Sequence, residues 1–174
     1  MRLLAFFGVL LLSSCVSLPT GVTPVQDFSL QRYLGTWYEV ARLDHSFERG
    51  LSHVTATYSL REDGGVRVIN RGYSAEDKVW EEAEGKAYFV RQADEGYLKV
   101  SFFGPFYGAY IIFSLDKDYA YSFVSGPDTD YLWLLSRTPE VSESVKADFI
   151  NQAAALGFDT SALIFPNQLN PPKP

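Results

Sequence analysis

Short runs in which apolar and polar residues alternate dominate the chain from residue 36 onward. Alternation with a period of two is typical of β-strands that bury one face. The eight runs are TWYEVARL (36–43), HVTATYSL (53–60), GVRVINRGY (65–73), VWEEAEGKAYFV (79–90), GYLKVSFF (96–103), GAYIIFSL (108–115), YAYSFVS (119–125) and DYLWLLSR (130–137). The pattern therefore predicts an all-β domain.

Turn-forming residues separate most of these predicted strands. The segments REDGG, YSAEDK, RQADEG, LDKDY and SGPDTD each contain the Gly or Asp that tight turns need. Strands joined by such turns pair as antiparallel hairpins. Closing eight strands on themselves removes the exposed sheet edges. We therefore predict an eight-stranded antiparallel up-and-down barrel.

One helical pattern follows the last predicted strand. Ser142 is a suitable N-cap for SESVKADFINQAAALG, and Gly157 is a suitable stop. Apolar residues recur on one face of this helix, at Val145, Phe149, Ala153 and Leu156. The stripe predicts one C-terminal helix packed outside the barrel, and SALIF (161–165) predicts a short flanking strand.

The N-terminus has the pattern of an export signal. One Arg precedes an apolar run from Leu3 to Leu12, which is too short to cross a bilayer as a helix. Ser13 and Ser14 then precede Cys15, the only cysteine of the chain. This LSSC sequence resembles the bacterial lipoprotein box. The resemblance implies that residues 1–14 are a signal peptide and that Cys15 is acylated.

Acylation would also account for a lone cysteine in an exported chain, where no internal disulfide can form. Two or three acyl chains make a stable membrane anchor. Val16 occupies the position at which the pattern for inner-membrane retention has Asp, so the resemblance implies a lipid-anchored outer-membrane protein facing the periplasm. We expect residues 15–30 to be the acylated N-terminus and a tether outside the core, and residues 31–174 to be the barrel with its helix.

Composition narrows the class of partner. The 174 residues suit a single domain, and 47% of them are hydrophobic. The net charge is −6, with no block of Lys or Arg. An acidic chain without a basic stripe is not expected to bind nucleic acid, and it would not adhere to an anionic membrane by charge.

Three positions connect this pattern with a known family. Gly35 and Trp37 at the first strand, followed by eight meandering strands and a late helix, resemble the lipocalins. Arg137, in LLSR (134–137), matches the family's final-strand signature. The resemblance implies that Trp37 plugs the closed end of the barrel while Arg137 lies across its indole. It implies a structural role there for Asp116, in LDKDY (115–119), because TDY (129–131) lies one hairpin too late to be the family's Thr-Asp-Tyr motif.

Longer stretches narrow the resemblance to the bacterial outer-membrane lipocalins, relatives of apolipoprotein D. They are GTWYEVARLDHSFERGL (35–51), VTATYSL (54–60), VSFFGPFYGAY (100–110) and GPDTDYLWLLSRTP (126–139). The resemblance implies a protein that carries or stores a hydrophobic ligand, a fatty acid or a lysophospholipid, in the cell envelope. It implies no cofactor.

Alternation starting from an inward Trp37 predicts the cavity lining. Tyr38, Val40 and Arg42 should then face outward, as should Trp80. The sixth strand is apolar on both faces, and we take Tyr107, Ala109, Ile111 and Phe113 as inward; the seventh strand has no clear phase. The predicted ligand-binding residues are Glu39, Ala41, Val54, Ala56, Tyr58, Asn70, Ala83, Val100, Phe102, Tyr107, Ile111, Tyr131 and Trp133.

This lining is apolar and contains small residues, which indicates a cavity rather than a packed core. The lid would be DHSFERGLSH (44–53), with Phe47 and Leu51 over the mouth, and FFGPFYG (102–108) would form an aromatic rim. The alternative is a filled barrel in a structural envelope protein, which would form a homodimer through its exterior with Tyr38 and Tyr110 outward.

Catalysis and metal binding are weakly indicated. Cys15 is expected to be acylated, so no thiol nucleophile remains. Glu39 is the one carboxylate predicted inside, whereas Glu82 should point outward, so no carboxylate pair is expected. His45 and His53 flank one loop without a third ligand. We therefore predict a binding protein without catalytic residues or a metal site.

Overall fold

Eight strands form a closed antiparallel barrel in the computed structural model, which describes residues 16–173. Cys15 and the predicted signal peptide lie outside the described residues. The strands are β1 (Gly35–Leu43), β2 (Leu51–Leu60), β3 (Val66–Ser74), β4 (Val79–Phe89), β5 (Tyr97–Ser101), β6 (Gly108–Leu115), β7 (Tyr121–Ser125) and β8 (Leu132–Ser136). Each strand pairs with its neighbour in sequence, and β1 pairs with both β2 and β8. The predicted fold is confirmed.

The connections alternate between the two ends of the barrel, as a meander requires. The turns at residues 61–65, 90–96 and 116–120 lie at one end, which we call the closed end. A short helix, α1 (Leu30–Tyr33), enters β1 there. The loops at residues 44–50, 75–78, 102–107 and 126–131 lie at the other end, which we call the open end.

The predicted helix packs outside the barrel. It is α2 (Glu143–Ala155), and the Ser142 side chain accepts a hydrogen bond from the Val145 N–H at 3.4 Å. Phe149 and Ala153 of α2 are fully buried. They belong to an outer cluster whose members from the barrel include Ala41, Ala109, Ile111, Phe123, Leu132 and Leu134. A 3₁₀ turn (Thr160–Ala162) follows, and then a two-residue strand, β9 (Leu163–Ile164), which pairs with the end of β1.

The segment that precedes α1 lies against the barrel. Val22 is buried in the outer cluster, and Phe28 is buried at the closed end. The Val25 N–H donates to the Ile112 carbonyl at 2.9 Å, and the Gly96 N–H donates to the Val25 carbonyl at 2.9 Å. The prediction that this segment lies outside the core is therefore wrong for its described part.

A β-bulge changes the facing of β1 halfway along the strand. Glu39 pairs with Leu135 of β8, but Ala41 pairs with Leu134, so Val40 is the extra residue. An extra residue reverses the alternation beyond it. The structure therefore places Ala41 on the outer face and Arg42 on the inner face, and both predicted orientations are wrong.

The facing of β6 also differs from the prediction. Ile111 lies in the outer cluster with Ala109, and Phe113 packs against it, whereas Ile112 belongs to the interior. The Tyr107 ring lies 5.1 Å from the ammonium of Lys99, which shares the outer face with Ala109. Both faces of β6 are apolar because one faces the barrel interior and the other is covered by α2. Alternation alone therefore does not give the phase of this strand, and the predicted inward facing of Tyr107, Ala109, Ile111 and Phe113 is wrong.

The C-terminal segment fills a seam between β1 and β2. These strands pair only between Gly35–Tyr38 and Thr55–Tyr58. Beyond that point the Gln168 amide donates to the carbonyls of Glu39 and Val54, at 2.8 and 2.9 Å. The His53 N–H donates to the Asn167 carbonyl at 2.7 Å. The chain end thus supplies hydrogen bonds that the separated strands cannot make to each other.

Candidate ligand-binding site

Trp37 and Arg137 fill the closed end. The Trp37 side chain is fully buried, and its indole N–H donates to the Tyr33 carbonyl at 2.8 Å. The guanidinium carbon of Arg137 lies 3.9 Å from the centre of the indole. Arg137 also donates to the carbonyls of Arg32, Leu34 and Thr36, at 2.8–2.9 Å. Arg137 thus stacks on Trp37 and bonds the chain that enters β1, which is the arrangement expected of a residue that closes the barrel.

Gly35 and Asp116 support the same end. Gly35 has a φ of +95°, a conformation that glycine adopts without steric cost. The Asp116 carboxylate accepts hydrogen bonds from the N–H groups of Asp118 and Ala120, at 3.0 and 3.2 Å. The Arg137 N–H in turn donates to the Ala120 carbonyl. Asp116 therefore shapes the turn on which the backbone of Arg137 rests.

Tyrosine hydroxyl groups form the floor of the interior above Trp37. The hydroxyl of Tyr110 lies 2.8 Å from that of Tyr33 and 2.9 Å from that of Tyr58. Tyr33 also reaches the hydroxyl of Ser122 at 3.2 Å. Burial raises the pKa of Tyr33 to about 12 and the pKa values of Tyr58 and Tyr110 well above their ordinary value. The lower half of the barrel is thus filled with neutral, hydrogen-bonded side chains.

A buried ionic cluster lies on the inner wall above that floor. The guanidinium of Arg42 is 1% exposed and lies 2.5 Å from the carboxyl group of Glu39. It lies 3.5 Å from the carboxylate of Glu48 and donates to the Glu48 carbonyl at 2.8 Å. Buried charges need such partners, since an isolated ion loses its hydration. Two carboxyl groups therefore share one guanidinium.

Burial makes both carboxyl groups of this cluster harder to ionise. Burial, and then the charge of Glu48, raise the pKa of Glu39 well above its ordinary value, against the opposing effect of Arg42. Burial also raises the pKa of Glu48. Both buried carboxyl groups are therefore weaker acids than a carboxyl group in water.

The loop at residues 44–50 is held down by this cluster and by aromatic stacking. The Trp133 indole N–H donates to the Glu48 carboxylate at 3.2 Å. The His45 ring stacks on Tyr131, with ring centres 4.3 Å apart, and on Phe47 at 5.3 Å. The predicted lid thus lies against the mouth through His45 and Glu48, while Phe47 remains exposed.

Inward residues along β2 to β5 are accessible to solvent. Register pairs Ala56 with Asn70 and Asn70 with Ala83, and pairs Ala87 with Val100, all on the inner face. Ala56, Asn70 and Val100 are half-buried and Ala83 is exposed. Because these side chains point inward, solvent reaches them through the open end. Part of the apolar inner face is therefore open to solvent, and a hydrophobic ligand could cover it.

Asn70 and Arg42 each present a buried polar atom on the inner wall that lacks a hydrogen-bond partner among residues 16–173; for Arg42 it is Nε, which lies 3.5 Å from the Glu48 carboxylate. For Asn70 it is the side-chain oxygen. A buried acceptor without a partner is costly, so such a group is suited to bind a donor from a ligand or from water. Asn70 is thus a candidate contact for a polar ligand atom.

The structure brings together most of the predicted ligand-binding residues. Tyr131 lies at the mouth, and Ala41, Tyr107 and Ile111 are on the outer face. The predicted residues that share the inner face are Glu39, Val54, Ala56, Tyr58, Asn70, Ala83, Val100, Phe102 and Trp133. Sequence reasoning missed Arg42 and Glu48, which are charged and gave no apolar signal. It also missed Tyr110, the hydroxyl of which is the centre of the floor.

The two histidines lie on different surfaces. His45 stacks at the mouth, whereas His53 lies on the outer wall in a cleft of about 140 Å³ with Trp80 and Gln168. Within residues 16–173, no group of three or more His, Cys, Asp or Glu residues could hold a metal ion.

A family model described as a lipocalin-like domain matches residues 28–168. The chain belongs to the lipocalin family. The outer membrane lipoprotein Blc of Vibrio cholerae serotype O1 is 62% identical over 159 residues, which cover 91% of this chain and 93% of that protein. The Blc lipoprotein of Escherichia coli K12 is 56% identical over 150 residues, covering 86% and 85%.

The barrel also resembles a solved lipocalin structure. Insecticyanin from the tobacco hornworm Manduca sexta superposes with a TM-score of 0.69 at 21% identity, covering 87% of this chain and 86% of that one. At this identity the likeness concerns the fold alone.

The bacterial relatives also bear on location. The protein is an outer-membrane lipoprotein, so the predicted location is confirmed. No helix within residues 16–173 is long and apolar enough to cross a membrane. Membership of the lipocalin family implies a hydrophobic ligand.

Proposed function

We propose that this lipocalin binds a single-chain lipid, a fatty acid or a lysophospholipid, and carries or stores it in the cell envelope. The observation that supports this most is the solvent access of inward residues in the upper half of the barrel. Val100, Phe102 and Trp133 are half-buried on that wall. An acyl chain lying there would remove their apolar surface from water.

The charge distribution supports a head group at the open end. The strands present Arg42 inward above the floor, and both Glu39 and Glu48 already engage it. A carboxylate or phosphate inside would therefore find no free cation among the described residues of that wall, and burying it would be costly. The acyl chain occupies the cavity, and the head group stays in water near the lid.

The depth of the cavity favours one chain rather than a bulky ligand. The tyrosine hydroxyl groups of Tyr58 and Tyr110 limit it from below, and the lid covers one side of the mouth. Burying about ten methylenes contributes about 8 kcal/mol before ordering costs, which is compatible with micromolar or tighter binding.

Binding is favoured over catalysis and over a filled structural barrel. The buried carboxyl groups of Glu39 and Glu48 are both engaged by Arg42, so neither is free to act on a ligand. The dimer alternative needed Tyr110 outward, but its hydroxyl bonds Tyr33 and Tyr58 inside. A homodimer formed through other surfaces stays a prediction.

Native mass spectrometry of the protein purified without detergent tests the proposal. We expect adducts with the masses of single-chain lipids, and their loss after delipidation and return on adding a lysophospholipid. A protein that stays free of adducts with every single-chain lipid offered would contradict the proposal.

A further inference from the structure

Bulky aromatic side chains are exposed at the open end. Phe103 is 81% exposed and Phe106 is 72% exposed, both in the loop at residues 102–107, which contains no charged residue. Phe47, on the lid at the same end, is 58% exposed. Exposed apolar groups of this size mark surfaces that bury against something else.

The closed end has a different surface. Its turns carry charged residues in REDGG, RQADEG and LDKDY. Among the described residues, Leu60 is the large apolar side chain exposed there, at 51%. The aromatic exposure is therefore a property of one end of the barrel.

The N-terminal segment leaves the fold beside that same end. The Ser17 hydroxyl donates to the carbonyl of Pro127 at 3.1 Å, and Pro127 belongs to the open-end loop at residues 126–131. The Val16 carbonyl accepts a hydrogen bond from the Tyr97 hydroxyl, and Leu18 packs into the outer cluster. Ser17 follows the residue predicted to be acylated, Cys15, by two positions in the sequence, and two residues span at most about 7 Å.

We propose that the open end docks on the phospholipid surface in which the protein is anchored, with Phe103 and Phe106 entering the boundary between head groups and acyl chains. The short distance from Ser17 to the predicted anchor brings this end to the bilayer. The uncharged aromatic loop then inserts, as apolar side chains do at membrane interfaces.

Charge does not drive this docking. The neighbouring open-end loops contain Asp77, Asp128 and Asp130, which disfavour contact with anionic lipid. The uncharged aromatic loop therefore inserts into the bilayer, and the acidic loops stay farther from the membrane surface. If the proposed lipid-binding function holds, a lipid can move between the bilayer and the cavity without crossing bulk water.

Spin-label depth measurements on the acylated, full-length protein test the orientation. Acylation would consume Cys15, so a single introduced cysteine can be labelled specifically. A label at Phe106→Cys measures the membrane depth of the open end. A label at Leu60→Cys is the matched control at the closed end. Both are reconstituted into vesicles of phosphatidylethanolamine and phosphatidylglycerol, and collisions with oxygen and with a water-soluble nickel chelate are compared.

We expect the ratio of oxygen to nickel collisions to rise several-fold at Phe106→Cys on reconstitution and to stay unchanged at Leu60→Cys. Equal ratios at the two positions would overturn the proposal. The label at Phe106→Cys could instead become protected from the nickel chelate as the protein concentration rises, whether or not vesicles are present. That result would show that a second copy of the protein covers the open end, and it would also overturn the proposal. No ligand is needed, so the result is independent of whether the cavity binds lipid.

Apolar insertion can be measured separately by flotation of a non-acylated Cys15→Ala protein with the same vesicles. Adding Phe106→Ser should lower vesicle affinity at least tenfold, whereas Leu60→Ser should not change it. Circular dichroism establishes that each variant is folded. Equal affinities for the two serine variants would contradict the role of the aromatic loop.

Discussion

The guanidinium of Arg137 lies over the indole of Trp37, 3.9 Å from the ring centre, and donates to three backbone carbonyls around it. One side chain thus stacks on the plug of the barrel and also holds the chain that enters β1. The contact links the first and last strands of the barrel.

Trp37→Ala should lower the free energy of unfolding by about 3–5 kcal/mol, because it empties a fully buried site. Arg137→Ala should cost about 1–3 kcal/mol through lost stacking and three unpaired carbonyls. Arg137→Lys is the matched control, since it keeps the charge but not the planar fork. Urea unfolding measures each variant. Normal stability of Trp37→Ala with abolished lipid binding would instead place Trp37 in the ligand site.

Addition of a lysophospholipid or an unsaturated fatty acid should change tryptophan fluorescence saturably. Trp133 faces inward at the open half of the barrel, so Trp133→Phe should remove most of the change. Trp80 lies on the outer face beneath the guanidinium of Arg71, so Trp80→Phe should leave the change intact. The opposite pattern, with Trp80→Phe removing the signal, would place the ligand outside the barrel.

Glu39→Gln should become more stable relative to the wild type as pH rises above about 4.5, toward the raised pKa of Glu39. The pKa of Glu39 is raised above its ordinary 4.5, first by burial, so the folded protein keeps a proton that the unfolded chain loses. The wild type therefore has its full stability below that pH and loses it as pH rises toward the raised pKa. The difference in the free energy of unfolding between Glu39→Gln and the wild type should widen by up to about 1.4 kcal/mol per pH unit.

Glu84→Gln is the control for this pH dependence. Glu84 lies on the outer face, and its hydrogen bond with Arg67 lowers its pKa. Here the wild type gains stability relative to Glu84→Gln as pH rises through the lowered pKa of Glu84, so the pH dependence has the opposite sign to that of Glu39→Gln. The change in the free energy of unfolding is small because the Glu84–Arg67 pair is exposed. Urea unfolding at several pH values measures both. A flat difference between Glu39→Gln and the wild type would contradict the buried, protonated carboxyl group.

Gln168→Ala should open the seam between β1 and β2. The loss of two buried hydrogen bonds should cost about 1–3 kcal/mol, because the carbonyls of Glu39 and Val54 are left without a donor. The His53 amide, which bonds Asn167, should exchange its hydrogen faster. Gln152→Ala, which removes an amide bonded to Asp148 on α2, should leave that exchange rate unchanged. Slow exchange in both variants would show that the seam closes without Gln168.

Cys15→Ala should replace stable membrane anchoring with weak, reversible membrane binding, from which washing releases the protein, without lowering its melting temperature. Cys15 precedes Val16, the first residue that the structure describes, so the buried contacts of Val22 and Phe28 remain. Intact mass of the membrane-extracted wild type should show acyl chains on Cys15. An unmodified thiol in that protein would contradict the predicted anchor.

The barrel and its helix could be predicted from sequence because each depends on local periodicity. Strands such as β3 and β4 alternate without interruption, and their observed pairing keeps Val68, Asn70 and Ala83 on the inner face. The α2 stripe likewise repeats at helical spacing, and Phe149 and Ala153 are buried where it predicts.

The facing of β1 and β6 could not be predicted in the same way. The bulge at Val40 exists only relative to β8, and the outer face of β6 is apolar because α2 covers it. A single strand carries no record of its partner's register or of a covering helix, so alternation alone places Ala41 and Ile111 on the wrong face.

By itself the sequence determined the strands, the helix and the identity of the plug, because Trp37 and periodic apolar positions act through short-range geometry. The tertiary structure alone decided that Arg42 lies inside. A charged side chain can be buried only where partners compensate it, and those partners, Glu39 and Glu48, are brought to it by the bulge and by the fold of the lid loop. The tertiary structure also decided that residues 16–28 pack against the barrel, because the hydrogen-bond partners of this segment lie far away in the sequence.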